Sequence, residues 1–575
     1  MTLHRLLLLL LAALVTACAT VPPGDAATPR AGVAQPFVIA ANPMAAKAGM
    51  DVLDQGGSAV DAAIAVQAML SLVEPQSSGI GGGAFLSYYD QQTRKIAIYD
   101  GRETAPAGAT RTMFLGPDGA PLAFREAVIS GRATGVPGAV AALAMAHREH
   151  GALAWSSLFD AAIETAQEGF VISPRLGRFL TIPFPQLSTP DAKAYFSRPD
   201  GTLRQAGDLL VNPDYARFLR RLAEHGPEAL YGGSTAAKIV ERSRAAPLGG
   251  TMTMADIAAY RPVKREAVCH PYRAYLVCAP PPPSSGAALL HLLGLLERTD
   301  IAERGPHDPQ GWYLFAEASR LMYADRDAYF GDGDFVSVPV QGMLEAAYLD
   351  RRAALIGERA AVKALPGEPE GSTQGVADQT LEPAGTSHFI VRDAAGNVVS
   401  MTTTVESIFG TGRMVDGFFL NNQLTDFSFN PLQPDGELAP NAVAPGKRPR
   451  SSMSPLILLD QDGSFAGAIG SAGGNSILAY VGKSLVAAID WNLPMQEALA
   501  LPNLVARGDW PMGEVDKFDP AVIAGLKERG IALVPGQGED SGVHAVLIRP
   551  TEDGRGRVDG GYDPRREGVV LTGAR

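Results

Sequence analysis

Gly385-Thr386-Ser387-His388-Phe389-Ile390-Val391 is the stretch on which the reading of this chain turns. Upstream, residues 377–383 are polar and lack periodicity; from Thr386 onward β-branched and aromatic residues set in, so a loop gives way to a strand. The turn residues from Asp393 to Asn397 predict that 387–392 fold back on 398–404 as a hairpin centred near residue 395. That register sets Thr404 beside Thr386. If the Gly385–Thr386 bond is cut, Thr386 carries both a hydroxyl nucleophile and an α-amine of pKa about 8, which can serve as its own base. Thr404 would then orient the nucleophile. Spacing alone does not carry this assignment, because threonine is favoured in strands for structural reasons.

Working outward, the part from Thr386 to the C-terminus has short strand-like runs at 387–392, 398–404, 417–421, 455–460 and 464–469, separated by turn signals such as Asp462-Gly463. Helical patterns follow at 475–489 and 519–529. The earlier part is helix-rich, with patterns at 44–55, 58–73, 138–150, 157–168, 212–224, 286–298 and 308–328. Gly56-Gly57 ends one helix, and Ser58 with Asp61 opens the next as a capping box. This order predicts strands covered by helices, an α+β fold of stacked layers, with no internal repeat. The segment from Val268 to Val277 reads as a hairpin turning at Arg273-Ala274, which sets Cys269 opposite Cys278. A cross-strand disulfide and two buried thiols both fit that placement.

The bulk properties narrow the function. A net charge of -12 over 575 residues, with no long Lys/Arg run, argues against nucleic acid. Three cysteines lack the spacing of a zinc site, and His147 with His150 lack the glutamate arrangement of a zinc protease. Gly79, Gly81 and Ala84 follow a helix and precede a strand, the wrong order for a dinucleotide fingerprint, and no G-x-S-x-G elbow is present. No metal or cofactor is expected, and the partner is a small molecule. Residues 1–18 read as an export signal, with His4 and Arg5 before the apolar run Leu6 to Val15, too short to span a bilayer. Val15-Thr16-Ala17-Cys18 resembles a bacterial lipobox, in which Cys18 is acylated; ordinary cleavage at Ala17-Cys18-Ala19 is the alternative. Residues 19–34, rich in Ala, Pro, Thr and Gly, form a tether, and the expected location is periplasmic, with membrane contact only through the lipid.

Several further motifs occur in one order. They are Gly57-Ser58-Ala59-Val60-Asp61-Ala62-Ala63, Gly81-Gly82-Gly83, Arg102-Glu103-Thr104-Ala105-Pro106-Ala107 and Pro281-Pro282-Pro283-Ser284-Ser285-Gly286. After Thr386-Ser387-His388 come Phe409-Gly410-Thr411-Gly412, Asn421-Asn422-Gln423-Leu424-Thr425-Asp426-Phe427, Arg448-Pro449-Arg450-Ser451-Ser452-Met453-Ser454-Pro455 and Gly470-Ser471-Ala472-Gly473-Gly474. Over about residues 36–565 the chain resembles the γ-glutamyltranspeptidases (glutathione hydrolases) of the N-terminal-nucleophile superfamily. The resemblance implies a four-layer αββα sandwich built jointly by a large part, 35–385, and a small part, 386–575, which stay together after self-cleavage between Gly385 and Thr386. It implies that Thr386 forms an acyl-enzyme with a γ-glutamyl donor such as glutathione, passing the acyl group to water or to an amino acid or peptide. Gly473 and Gly474 would hold the oxyanion, Arg102 with Ser451 and Ser452 the α-carboxylate, and Asp426 with Gln423 the α-ammonium.

Two departures stand out. Glu406 occupies a position where familiar members have asparagine, and 428–440 is a shorter lid without tyrosine. Both leave room for a second reading, a glutaryl or cephalosporin-type acylase with the same nucleophile. A third reading is a catalytically silent binding lipoprotein on the same scaffold.

Overall fold

Two antiparallel sheets form the middle of the molecule, and the hairpin around Thr386 lies in the centre of the first. The computed structural model describes residues 35–373, 378, 380–383, 385–432, 436–536, 541–551 and 556–573. The expected leader with Cys18 and the expected tether 19–34 lie outside the described residues, as do 433–435 of the segment expected to form a short lid.

In the first, seven-stranded sheet the order is Val569–Thr572, Phe37–Ala40, Gly385–Arg392, Val398–Glu406, Gly83–Asp90, Lys95–Gly101 and Val263–Glu266. The second, six-stranded sheet runs Gly556–Tyr562, His544–Pro550, Phe465–Gly470, Leu456–Leu459, Tyr275–Ala279 and Val268–Tyr272. Residues from both sides of the Gly385–Thr386 bond contribute strands to each sheet. Helices Pro43–Asp54, Ala59–Val73 and Ala139–His150 cover the outer face of the first sheet in one apolar cluster. Gly286–Glu297, Pro309–Tyr329 and Ile477–Leu485 cover the second. Ile39, Tyr89, Ile390 and Val398 meet Ile457, Ala468, Val546 and Ile548 between the sheets. The result is four layers, αββα, within the α+β class expected.

The local causes are those visible in the sequence. Ser58 accepts the amide of Asp61, and Asp61 accepts the amide of Ser58, closing the capping box of Ala59–Val73. The turn at 393–397 closes through the Asp393 amide to the Asn397 carbonyl at 3.1 Å, with Gly396 at φ +94°. Along Gly385–Arg392 side chains alternate: Phe389 and Val391 pack beneath the helices, while Ile390 enters the inter-sheet layer. The same parity turns Thr386 and His388 toward the second sheet and Ser387 toward the helices, where it donates to Glu74. Gly470 of the second sheet has no room for a Cβ, which would stand 2.4 Å from the His388 ring. Truncating Ile390 to alanine in this layer would cost about 2–5 kcal/mol.

Two expected elements differ in detail. The run 417–421 supplies only a two-residue strand, Phe418–Phe419, paired with Met414–Val415. Asn421 withdraws the chain from pairing by donating to the carbonyls of Gly81 and Gly135. The helix expected at 475–489 begins with a 3-10 turn at Gly474–Ser476, becomes α-helical over Ile477–Leu485 and widens into a π turn at Val486–Asp490. Cys269 and Cys278 face each other on adjacent strands and are joined as a disulfide, which decides between the two alternatives.

Candidate active site

Thr386 and Thr404 are direct cross-strand partners at the end of the central hairpin. Beyond them the ladder bulges, so that Glu406 faces Gly385 with φ +80°, a conformation side-chain-bearing residues seldom adopt. Gly385 is needed at this contact because a Cβ would lie 2.2 Å from the Glu406 carbonyl oxygen. The Thr404 hydroxyl donates to the carbonyl of Gly385 at 2.7 Å and accepts from the Glu406 amide at 2.8 Å and from the Thr386 hydroxyl at 3.1 Å. One buried hydroxyl therefore grips the nucleophile candidate and polarises the carbonyl that precedes it.

Around this pair lie Arg102, Glu406, Gln423, Asp426, Ser451, Ser452 and Gly474, drawn from five separate segments onto one cavity. Asp426 and Gln423 sit on the 3-10 turn Gln423–Asp426, where Gln423 Nε2 donates to Asp426 Oδ2 at 2.6 Å. Arg102 Nη2 donates to the same oxygen at 2.5 Å and to the Arg450 carbonyl at 2.7 Å, and its Nε donates to the Pro449 carbonyl at 3.1 Å. The Glu406 carboxylate accepts from the hydroxyl of Ser407 and the amide of Asn422. Gln423 Oε1 is buried with no hydrogen-bond partner among the described residues, while the Glu406 and Asp426 carboxyls interact with each other. Burial, together with the charge of Asp426, pushes the Glu406 carboxyl well above its ordinary value. Burial likewise raises Asp426, with Arg102 offsetting part of the effect.

Gly473 (φ +131°) and Gly474 (φ +53°) turn the chain from the Phe465–Gly470 strand into the next helix. Among the described residues neither amide donates a hydrogen bond. Gly474 lines the cavity; its neighbour Gly473 does not.

The cavity holds only about 20 Å³, room for a water molecule but not for an amino acid. Glu382 and Pro383 line it as well. Glu382 was not among the residues expected from the sequence. Its Oε2 accepts from Ser452 at 2.7 Å and its Oε1 from Arg326 at 2.5 Å, and its carbonyl takes the Asn475 amide at 3.0 Å. Although burial opposes ionisation, Arg326 and Arg450 hold this carboxyl down to about 2. The only hint in the sequence is an acidic side chain four residues ahead of Thr386. Among the described residues no group of three or more His, Cys, Asp or Glu is placed to hold a metal.

The family model described as gamma-glutamyltranspeptidase matches residues 45–573. The glutathione hydrolase proenzyme of Bacillus subtilis (strain 168) is 37% identical over 546 residues, 93% of this chain and 91% of its own length. The acylase ACY 1 proenzyme of Pseudomonas sp. (strain SE83) is 33% identical over 553 residues, 94% of this chain and 95% of its own. Among solved structures, cephalosporin acylase from Bacillus halodurans matches with a TM-score of 0.80 at 27% identity, covering 96% of this chain and 98% of that one.

Proposed function

Because the chain belongs to the γ-glutamyltranspeptidase family, and is accordingly an enzyme of the glutathione hydrolase type with the N-terminal-nucleophile fold, we propose a self-cleaving γ-glutamyl hydrolase and transferase whose nucleophile is Thr386. The observation that carries this reading is the Thr404 hydroxyl, shared between the Thr386 hydroxyl and the Gly385 carbonyl.

In the first stage the Thr386 oxygen attacks the Gly385 carbonyl carbon, whose oxygen gains charge that the Thr404 proton stabilises. The C–N bond breaks, the nitrogen takes the proton, and an ester links Gly385 to the Thr386 oxygen. Water hydrolyses that ester, leaving a carboxylate on Gly385 and a free amine on Thr386. In the second stage this amine accepts the proton of its own hydroxyl as the oxygen attacks the γ-carbonyl of the donor. The amides of Gly473 and Gly474, at the entry to Ile477–Leu485, receive the oxyanion. The amine product departs with a proton, and water or an acceptor amine then resolves the acyl-enzyme.

Glu406, Gln423 and Asp426 line the cavity together and offer side-chain oxygens that would accept the N–H donors of an α-ammonium group. Ser451, Ser452 and Arg102 line the same cavity and would take the α-carboxylate. The glutaryl-acylase alternative draws on Glu406 and on the acylase relative. A glutaryl chain has no ammonium and leaves those three acceptors unmet, so the γ-glutamyl reading is preferred. Turnover of γ-glutamyl and glutaryl anilides separates the two, and a strong glutaryl preference would overturn the assignment. Glutamate release from glutathione, lost in Thr386→Ala, is the direct test; an active Thr386→Ala enzyme would refute the mechanism. The proposed location is periplasmic, with a lipid on Cys18, which mass spectrometry of the mature N-terminus checks. Detection of an unmodified terminus there would remove the anchor.

A further inference from the structure

The strand that begins at Gly385 is paired unevenly. Val398–Glu406 flanks it along its whole length, but on its other side Phe37–Ala40 reaches only from Arg392 to Phe389. Among the described residues Thr386, Ser387 and His388 therefore have a strand neighbour on one side alone. In the uncut chain the bond to Gly385 carries the backbone on past this half-paired stretch. Once that bond is cut, Thr386 is a chain end, and chain ends with few partners fray.

A buried ionic cluster meets the same stretch from the helix side of the sheet. Ser387 Oγ donates to Glu74 Oε2 at 3.1 Å, across 313 positions of sequence. Glu74 stands at the C-terminal end of Ala59–Val73 and is itself held: Arg175 Nη1 donates to Glu74 Oε1 at 3.3 Å and to Ser77 Oγ at 3.2 Å. Arg566 Nη1 donates to the same Ser77 hydroxyl oxygen at 3.3 Å and lies 4.0 Å from Glu74 Oε2, while its Nε donates to the Ser541 carbonyl at 2.8 Å. The Ser77 carbonyl in turn takes the amide of Val405, the residue after Thr404, at 3.4 Å. All five side chains, Glu74, Ser77, Arg175, Ser387 and Arg566, are buried. A carboxylate fixed by two guanidinium groups holds a hydroxyl more firmly than a neutral acceptor does. Glu74 touches neither Thr386 nor the catalytic cavity, so its hold on the nucleophile runs through Ser387.

Building on the self-cleavage reading, we infer that Glu74, braced by Arg175 and Arg566, anchors the chain end that cleavage creates. Its bond to Ser387 is redundant in the uncut chain and, after the cut, replaces the restraint that the Gly385–Thr386 bond supplied. Glu74 is thus a positioning residue for Thr386. The cluster draws Glu74 and Arg175 from the part before the cut and Ser387 and Arg566 from the part after it, so it also ties the two fragments together at the point where they separate.

The test compares two forms of the full chain, the self-cleaved enzyme and a precursor locked by Thr386→Ala, each with and without Ser387→Ala. Amide hydrogen exchange read by peptic digestion and mass spectrometry follows residues 388–392 of the strand. In the self-cleaved enzyme Ser387→Ala is expected to speed exchange there by roughly tenfold or more, the scale of a hydrogen bond to a charged group. In the locked precursor the same change is expected to alter exchange by less than about twofold, because the backbone still runs through. With a γ-glutamyl anilide, Ser387→Ala should lower kcat by roughly tenfold and leave KM within about twofold, and Ser387→Thr, which keeps the hydroxyl, should recover most of kcat. Glu74→Gln should speed exchange in the cleaved enzyme and add little once Ser387 is alanine; a fully additive effect overturns the role given to Glu74. Equal acceleration in both forms is the mark of an ordinary packing bond and overturns the inference, as does unchanged exchange in the cleaved enzyme. Failure of Ser387→Ala to cleave at all places the work of the bond before the cut and overturns it too. The self-cleavage reading fails visibly apart from this: an uncut wild-type chain on a denaturing gel refutes that reading and the anchor with it, whereas a cut wild type indifferent to Ser387→Ala refutes the anchor alone.

Discussion

Replacing Thr404 with valine retains the β-branched shape and deletes one hydroxyl, so it isolates the contact on which self-cleavage is argued to depend. That hydroxyl makes three hydrogen bonds: to the Gly385 carbonyl at 2.7 Å, from the Glu406 amide at 2.8 Å and from the Thr386 hydroxyl at 3.1 Å. The bond to the Gly385 carbonyl strengthens as that oxygen becomes an oxyanion, and losing one such donor costs about 2.7–4 kcal/mol, or about 10²–10³ in rate. The orphaned Glu406 amide adds about 1–3 kcal/mol of lost stability, which leaves a protein of this size folded. The assay is a gel time course of freshly purified precursor, with far-UV dichroism to confirm folding. Thr404→Val should convert to two fragments at least about 100-fold more slowly than wild type, and Thr404→Ser should retain most of the rate. A folded Thr404→Val chain that cleaves within about threefold of the wild-type rate would refute the argument.

Other substitutions probe separate parts of the account. Gly385→Ala forces a Cβ to 2.2 Å from the Glu406 carbonyl oxygen and should destabilise the hairpin by about 1–3 kcal/mol, read from denaturant midpoints, while delaying cleavage. Glu406→Gln removes an ionisable carboxyl from the cavity and should raise KM for a γ-glutamyl anilide by roughly tenfold with a smaller effect on a glutaryl anilide; an equal effect on both would argue against ammonium binding. Glu103 is fully buried, and burial, only partly offset by Arg102, raises its carboxyl from 4.5 to about 8. The folded protein therefore holds a proton that the unfolded chain releases, so this group's stabilisation is present below pH 4.5 and is lost as pH rises toward 8. Glu103→Gln should flatten that part of the stability-versus-pH curve, and identical slopes for variant and wild type would contradict it. The Cys269–Cys278 bridge closes a short loop, so Cys269→Ser with Cys278→Ser should cost about 2–3 kcal/mol in chemical denaturation.

The hairpin that presents Thr386 was legible because its information is local. Asp393 to Asn397 is a turn, the flanking residues alternate, and counting back from the turn pairs Thr386 with Thr404. The same holds for the capping box at Ser58 and for the facing cysteines. The run 417–421 misled because its apolar residues satisfy strand patterning, whereas side-chain bonds from Asn421 to Gly81 and Gly135, hundreds of positions earlier, decide its path. Arg102, Glu406, Gln423, Asp426, Ser451 and Ser452 were named through family resemblance, and the fold gathers them on one cavity. Glu382 escaped notice because its meaning lies in Arg326 and Arg450, which stand 56 and 68 positions away. No periodicity or motif encodes such a contact, and it becomes visible only once both sheets are assembled.

Intact-mass analysis combined with N-terminal sequencing of the active, purified enzyme tests the central claim most directly. Two polypeptides held together without a covalent link, the smaller beginning at Thr386, with glutamate released from glutathione, is the result predicted here. A single polypeptide still continuous through Gly385 and Thr386 that turns over glutathione at the same rate would contradict it.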